Sequence, residues 1–534
     1  MAMVREPSLE SAIKVTRSNI ESASGSGSGS EKAVTLKRIL QEEDALEVTG
    51  YSFSTRKKWT ILAIVAIVQT SMNYNAAVYS NTVDGLNSHY DVKNSRYGMM
   101  AFLLAYAIGC ELWAPWSEEF GRWPIMQLSL GLVNVWQILC GASTNMSMIF
   151  AGRVLGGLSS AGGSVTLGMV ADMWDSQDQQ YAVAFVSLWS CLGSVVGGIC
   201  GGAIETYLPW RWNFWIQLIF GVVVQLFHFF LVPETRSTVL LTKEAKRRRR
   251  DNQEDIWGPN DVKKLTFKEV IGTMLRPYHM LLCEPIVTFL SLLSGFSDAL
   301  IFSFLESFGY VFVVWSFSKI GLGLSMISLL LGYFAGYTSF LPVIRHHNHL
   351  RRTGKGNKLT PESRLWWLLY VVPMLPLGIF VFAFVCTGPP IPWIAPLICT
   401  FFIGWANYAI YFATIDYMVA AYGEFAASAT GGNGFMRDLL AGLCVIWTHP
   451  LYINLGPKNA SFLLAGVALA VCIPVYVFYF KGSWFRKRSP FAQQLAAEKE
   501  KRAPLREEKS HSLANSLGGT SRNTSAIQTP AVQA

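Results

Sequence analysis

The sequence predicts an all-α membrane protein with twelve transmembrane helices in two six-helix, pseudo-symmetric halves. Three observations support this fold class. Charged residues make up 15% of the 534 residues, whereas soluble domains average about 25%. Apolar runs close to the roughly 20 residues that a span needs recur along the chain. Most lysines and arginines fall on alternate connections between these runs, as they do when positive loops stay on one side of a membrane.

The apolar runs form two groups of six on either side of a long polar stretch. The first group begins near Trp59, Tyr97, Pro124, Met148, Tyr181 and Trp210, and the second begins near His279, Ser318, Leu365, Trp393, Phe425 and Ser461. Two similar sets of six helices suit a transporter in which one half rocks against the other around a site at their interface.

Four basic segments predict the orientation of the chain. TRKK precedes span 1, KEAKRRRR lies in the central polar stretch, RHHNHLRR follows span 8 and KGSWFRKR follows span 12. All four lie on one side if both termini are cytosolic, because short positive loops are retained there. We therefore expect cytosolic termini, and a plasma-membrane location rather than a vacuolar one.

The expected organisation has five parts. Residues 1–55 are rich in serine and glycine and are expected to be a disordered cytosolic tail. The other parts are a first six-helix half (56–232), a cytosolic central loop (233–278), a second six-helix half (279–482) and a cytosolic C-terminal tail (483–534).

Composition argues against several other classes of function. The nine cysteines lie mostly in apolar runs and form no CxxC pair, so they are expected to be buried apolar residues rather than a disulfide framework or a metal site. The net charge of +9 is concentrated in loops, which indicates membrane orientation rather than nucleic-acid binding. We expect no cofactor. A membrane enzyme using the RHHNH cluster (345–349) remains the least favoured alternative.

The loop sequence WAPWSEEFGRWPIMQ places charges between two apolar runs. Gly121 permits a turn that other residues resist, and Glu118 and Arg122 are placed to pair across the ends of neighbouring helices. With Ser117 and Pro124, this pattern resembles the loop between helices 2 and 3 of the major facilitator superfamily. The resemblance implies a conformational latch formed by Glu118, Gly121 and Arg122. The alternative is ordinary loop charge that sets orientation.

Span 5 carries GSVVGGICGG, which resembles the antiporter motif of the same superfamily. Gly193, Gly197, Gly201 and Gly202 match the motif, while Gly198 replaces its proline. Small residues four apart let helices approach closely, so these glycines are expected to form a pivot. A generic close-packed helix pair is the alternative. The stretches PETRSTVLLTKEAKRRR, FSDALIFSFLESFGYVF and DYMVAAYGEFAASATGGNGFMRDLLAG resemble the fungal drug and polyamine:proton antiporter branch.

Ionisable residues inside spans mark functional positions by default. Arg153, in a stretch that resembles the family's span-4 pattern, is implied to take part in proton coupling; snorkelling to the membrane surface is the alternative. Asp298 and Glu306 in span 7 are the predicted proton or substrate residues. Glu111 is expected near the latch, and Asp438 is expected to pair with Arg437.

Polar and aromatic residues within spans suggest the cargo lining. The predicted lining residues are Asn73, Tyr74, Asn407, Tyr411 and Asn433, and for any one of them helix–helix hydrogen bonding is the alternative. Asn145 and Asn459 are N-glycosylation sequons predicted to face outside.

The resulting functional hypothesis is a monomeric, proton-coupled exporter of small organic molecules. Its partners would be the bilayer, protons and the cargo, which by resemblance is a drug, a polyamine or a fungal secondary metabolite. An uptake carrier of the same fold for a polar nutrient remains the alternative, because Gly198 stands where the antiporter motif has proline.

Overall fold

A computed structural model describes residues 38–160, 162–174, 178–252, 255–262, 267–353, 359–491 and 493–494. Ten helical stretches in these residues are long and apolar enough to cross a membrane. One of them, Ala426–Arg488, has non-helical backbone at Gly456 and therefore contains two spans. The shorter apolar helix Met146–Ser159 contributes another. The described residues thus contain the twelve spans that the sequence predicts.

The first six spans form one half of the molecule. Span 3 begins directly after Gly121, whose φ of 107° lies in a region that other residues rarely adopt. Span 4 begins at Asn145, whose side chain accepts a hydrogen bond from the backbone N–H of Met148. The bounds are Thr55–Ala77 (span 1), Tyr97–Glu119 (span 2), Arg122–Gly141 (span 3), Met146–Ser159 with Gly162–Met173 (span 4), Gln179–Tyr207 (span 5) and Trp212–Leu231 (span 6).

The second half repeats this arrangement with more interrupted helices. Spans 11 and 12 are the two parts of Ala426–Arg488 on either side of Gly456. The other bounds are Pro285–Phe312 (span 7), Lys319–Ser325 with Ile327–Arg352 (span 8), Trp366–Val371 with Met374–Val385 (span 9) and Ile394–Tyr422 (span 10).

Most spans begin within a few residues of their predicted starts, but span 7 does not. It was expected near His279 and begins at Pro285. A separate helix, Phe267–Cys283, occupies the preceding residues and ends just before this proline. Proline suits the first turn of a helix and interrupts a preceding one, which explains the break.

The end of the bundle that carries the four basic segments is called the basic end below. Here the chain preceding span 1 packs on the segment that follows span 6. Strand β1 (Arg38–Ile39) pairs in parallel with strand β2 (Ile256–Trp257), and Leu40 and Ala45 are buried against Leu241 of helix Ser237–Asn252. The structure therefore differs from the expected disorder at residues 38–54; residues 1–37 lie outside the described part.

Ion pairs hold the basic helix Ser237–Asn252 in place. Arg247 and Arg248 donate to the Glu244 carboxylate at 2.8 and 3.0 Å. Burial by itself raises the pKa of Glu244, but these hydrogen bonds outweigh it and hold the pKa below its ordinary value. Arg249 pairs with Asp261 at 2.7 Å. The helix is thus fastened by its own side chains and by the chain that follows it.

Candidate functional site

A cavity of about 520 Å³ lies between the two halves and extends from the basic end into the bundle. Its walls come from spans 2, 4 and 5 of the first half and from spans 10 and 11 of the second. Tyr51, from the chain before span 1, also lines it and donates a hydrogen bond to the carbonyl of Ala171. This volume suits a small organic molecule.

Arg437 and Asp438 in the inner wall of this cavity belong to a charged cluster whose third member, Asp298, is half-buried and is not one of the wall residues. Arg437 lies 3.9 Å from Asp298 and 3.5 Å from Asp438, measured between nitrogen and carboxylate oxygen. Its guanidinium carbon lies 4.5 Å from the ring centroid of Tyr411. One buried cation therefore serves two carboxylates contributed by spans 7 and 11. The expected Asp438–Arg437 pair is present, but it is shared with Asp298.

Glu111 adds a further carboxylate to the same cavity. Its side chain is 5% exposed and lies against Gly431 of span 11. Among the described residues, the ion pairs of the cavity wall involve Arg437, Arg122 and Arg236, and none includes Glu111. Glu111 was expected near the latch and instead faces the cavity interior. The cluster as a whole has more acidic than basic groups.

Two of the predicted lining residues lie in the cavity wall, Tyr411 and Asn433. Asn73 and Asn407 instead donate hydrogen bonds to neighbouring helices, Asn73 to Ser190 at 3.2 Å and Asn407 to Ser297 at 2.9 Å. These two asparagines therefore form hydrogen bonds between helices, which was the alternative to a role in the cargo lining.

Tyr74 is also placed away from the cavity. It packs among apolar residues of spans 1, 5 and 6, with its ring centroid 5.8 Å from that of Phe220. The sequence could not separate the two faces of span 1, because both carry polar and aromatic residues.

Arg153 is fully buried, with 1% of its surface exposed, so it does not snorkel to the membrane surface. It donates to the carbonyl of Gly98 and to both oxygens of Asn75, and its guanidinium lies between the rings of Tyr79 and Phe102. Every contact described for Arg153 is made within the first half. It ties spans 1, 2 and 4 together and does not reach the acids of span 7.

Glu306 is separated from the Asp298 cluster, towards the end opposite the basic one. It lies 3.5 Å from Arg96 and lines a second cavity of about 380 Å³. Lys319 of span 8 pairs with Glu205 of span 5 at the same cavity. Both pairs join one half of the molecule to the other at this end.

The predicted latch loop makes different pairs from those expected. Arg122 donates to Asp172 at the end of span 4 at 2.9 Å, and Glu118 lies 4.0 Å from Arg236. Glu234 accepts the backbone N–H groups of Arg122 and Trp123. Arg122 and Glu118 are thus paired with span 4 and with the segment that follows span 6, rather than with each other.

The second half contains a matching network. Arg364, in the loop before span 9, pairs with Asp416 of span 10, just as Arg122 pairs with Asp172 of span 4. Glu362 of the same loop pairs with Arg486 at the end of span 12 at 2.6 Å. This corresponds to the pairing of Glu118 with the residue that follows span 6. The pseudo-symmetry of the two halves extends to their ion pairs.

One hydrogen bond connects this second network to the first half. Gln180 of span 5 donates to Asp416 at 2.8 Å. Tyr408 of span 10 also donates to the carbonyl of Ala184 of span 5 at 3.0 Å. Relative movement of the halves at this end requires these bonds to break.

The glycines of span 5 lie at two close helix contacts. Gly193 and Gly197 face span 1 and Gly201 faces Asn81, with no space for a side chain. Gly202 faces the opposite way, where an added Cβ would lie 2.7 Å from the carbonyl of Lys319 and 3.1 Å from the Cα of Gly323. Gly198 also faces the second half. One of the predicted pivot glycines, Gly202, therefore lies at the contact between the two halves.

Asn145 and Asn459 are both exposed. Their glycosylation stays a prediction. The described residues contain no group of three or more His, Cys, Asp or Glu side chains placed to hold a metal ion.

The fold and the cavity between its halves define a membrane transporter of small molecules. A sequence model of the Major Facilitator Superfamily matches residues 56–445. The chain belongs to this superfamily.

Curated relatives include fungal transporters of about the same length. The MFS-type transporter paaT of Penicillium rubens is 30% identical, over 83% of this chain and 81% of its own. The Ascochitine biosynthesis cluster MFS transporter of Didymella fabae is 26% identical, over 91% and 95%. The Efflux pump atB of Aspergillus terreus is 29% identical, over 75% and 84%. These relatives are named as transporters, and the fold is that of the same superfamily. The protein is therefore a transporter and not an enzyme.

A solved structure confirms the fold. The proton:xylose symporter XylE bound to 6-bromo-6-deoxy-D-glucose aligns with a TM-score of 0.57 and 14% identity, over 80% of this chain and 97% of its own. At this identity the match concerns the architecture alone.

Several site residues were not found from the sequence, notably Asp172, Asp416 and Glu362. Asp172 and Asp416 occupy corresponding positions, near the basic ends of spans 4 and 10. The presence of an acid at the same place in both halves could have indicated these two residues. This correspondence is visible in the sequence only when the two halves are aligned span by span.

Proposed function

We propose that this protein exports small organic molecules in exchange for protons, by alternating access of the cavity between its halves. The basic end faces the cytosol in this proposal, because it carries the positive loops. The cavity that extends from this end would then receive cargo from the cytosol. The ion pairs of Arg96 and Lys319 would close the opposite end.

The observation that carries the proposal is the buried carboxylate of Glu111, which lines the cavity beside a cluster already short of positive charge. A buried carboxylate is costly unless it is paired or protonated. A proton or a cationic group of the cargo can supply the missing charge. Proton and cargo would therefore compete for Glu111, Asp298 and Asp438, and competition for one site couples their opposite movements.

The names of the relatives support export. One relative is an efflux pump and another belongs to a biosynthesis cluster, which favours a secondary metabolite or a similar organic molecule as cargo. Arg153, for which the family resemblance implies a part in proton coupling, has no part in this scheme, since its described contacts stay within the first half. Arg437 takes that place beside Asp298.

The test uses proteoliposomes in which the basic end faces outwards, as checked by protease access to the basic segments. With an acidic lumen, export predicts that a fluorescent lipophilic cation accumulates inside the vesicles. Glu111→Gln should abolish this accumulation, while Asp91→Asn, the same acid-to-amide change at an exposed position, should preserve it. Failure of the wild-type protein to accumulate any member of a cationic, neutral and anionic probe panel would refute export.

An uptake carrier is the second candidate, because a symporter shares this architecture. Uptake predicts the opposite outcome in the same vesicles. Cargo loaded into the acidic lumen would leave with protons, and external cargo would not accumulate.

A further inference from the structure

A groove of about 670 Å³ at the basic end lies outside the transport cavity. Its walls come from the first turns of spans 1 and 3, from Phe120 just before span 3, from the end of span 6 and from the helix Ser237–Asn252. We call it the lysine groove; its principal residues are Lys57, Phe120, Trp123, Phe229, Phe230 and Lys243. It lies where span 3 begins and span 6 ends, so in a bilayer it would lie near the boundary between the hydrocarbon core and the headgroup layer.

The groove offers an apolar surface at this boundary. Phe120 and Phe230 are 56% and 74% exposed in the protein alone. The ring centroids of Trp123 and Phe229 lie 5.4 Å apart, so these rings form one surface across spans 3 and 6. Exposed aromatic rings at this depth are typical contacts for lipid at the interface.

Two lysines give the groove its charge. Lys57 and Lys243 are both exposed, and no ion pair of either is found among the described residues. The acid in the groove is Glu234, whose carboxylate accepts four backbone N–H groups, from Arg122, Trp123, Thr235 and Arg236, at 2.8 to 3.2 Å. Its charge is thus stabilised by fixed backbone dipoles. Lys57 Nζ lies 3.8 Å from the ring centroid of Phe53, a contact that leaves its N–H groups on the exposed side for a ligand.

We propose that the lysine groove binds an anionic phospholipid of the leaflet at the basic end. One acyl chain would lie on the aromatic surface, and the phosphate and its anionic headgroup would lie between Lys57 and Lys243. A zwitterionic lipid fits less well, because its ammonium group would lie beside two cations. The apolar surface requires a lipid rather than a soluble phosphate.

Such a lipid would also contact the segments that position the latch loop. Trp123 follows Arg122 directly, and Lys243 lies on the helix that packs against residues 38–54. Binding should therefore stabilise the arrangement of this end of the first half. The site is independent of the transported cargo and of the direction of transport.

The full-length protein in nanodiscs provides the test. The measurement is displacement of a fluorescent phosphatidylserine, with phosphatidylcholine as the reference lipid. Each lysine near an anionic headgroup is expected to contribute about fivefold in affinity, so the double variant Lys57→Gln/Lys243→Gln should lose about 25-fold. The matched control Lys93→Gln/Lys458→Gln removes two exposed lysines at the opposite end and should change nothing.

Two further arms define the outcome. Phe230→Ala should weaken binding of both lipids and leave the preference for phosphatidylserine unchanged, and water-soluble glycerophosphoserine should fail to compete. The proposal is overturned if the lysine double variant binds phosphatidylserine as the wild type does, if the control variant loses as much, or if glycerophosphoserine competes as well as the lipid.

Discussion

The ion pair between Arg122 and Asp172 should stabilise the first half more than any surface pair does. The informative perturbation is a double-mutant cycle with Asp172→Asn, Arg122→Gln and the combination of the two. Both side chains are nearly buried, at 6% and 7% exposure, and their nearest atoms lie 2.9 Å apart. Removing Asp172 leaves the charge of Arg122 buried, whereas removing Arg122 leaves Asp172 with Arg236, 3.5 Å away, as its remaining cation.

The expected magnitude follows from this geometry. Two unit charges at 2.9 Å attract by about 6 kcal/mol at an effective dielectric constant of about 20, before desolvation is subtracted. Breaking a buried pair from one side costs about 3 to 5 kcal/mol. We expect about 3 kcal/mol for Asp172→Asn, because the amide oxygen retains one hydrogen bond. The double variant should lose less than the sum, because neither Arg122 nor Asp172 is left as a buried charge; Arg236, which lies 3.5 Å from Asp172, still has Glu118 at 4.0 Å.

The assay is thermal unfolding of the purified protein in detergent. For a unit of the size of the first half, a decrease of about 3 kcal/mol in the free energy of unfolding corresponds to a Tm about 6 to 12 °C lower. The control is Asp251→Asn, whose partner Arg250 is 80% exposed; it should shift Tm by less than about 2 °C. Additive losses in the cycle, or equal losses in Asp172→Asn and the control, would refute the assigned pairing.

Three other perturbations follow from single contacts. Gly202→Val should force span 5 away from span 8 and cut transport strongly, whereas Gly466→Val, at a glycine with no neighbour within 4 Å of an added Cβ, should leave transport near wild type; equal effects in a vesicle assay would contradict the close contact. Arg96→Gln should weaken the link to Glu306 and increase labelling of a cysteine placed in the second cavity, which Glu306 lines, by no more than about fivefold because the pair is partly exposed; unchanged labelling would argue against the role of this pair in closure. Glu244 has a lowered pKa, so its contribution to stability is complete above the unfolded value of about 4.3 and is lost as the pH falls through the lower folded value; the protection of helix Ser237–Asn252 from hydrogen exchange, taken relative to the intrinsic exchange rate at the same pH, should fall at low pH in wild type and should already be reduced at pH 7 in Glu244→Gln, and pH-independent protection in wild type would contradict this.

The spans were predictable because each is a local property of the sequence. An apolar run of sufficient length must be a helix in a bilayer, since its backbone groups have no other partners. Span 7 was misplaced because the amphipathic helix before it extends the apolar run, and only Pro285 marks the boundary. Residues 38–54 were missed for a different reason: Leu40 and Ala45 are buried by residues about 200 positions away.

The candidate site was predictable only in part. Asp298 was found because an acid inside a span is conspicuous in any sequence. Its partner Arg437 was assigned to Asp438 alone, because the sequence shows neighbours along the chain but not across helices. Glu111 was placed at the latch for the same reason, although its carboxylate faces span 11.

The central claim is that cargo and proton compete for the carboxylates of the cavity. The most direct measurement is proton release from the purified protein in weakly buffered detergent, followed with a pH indicator, when a cationic cargo is added. The account predicts that wild type releases protons on cargo binding and that Glu111→Gln releases fewer. Cargo binding without any proton release, or with proton uptake, would contradict it.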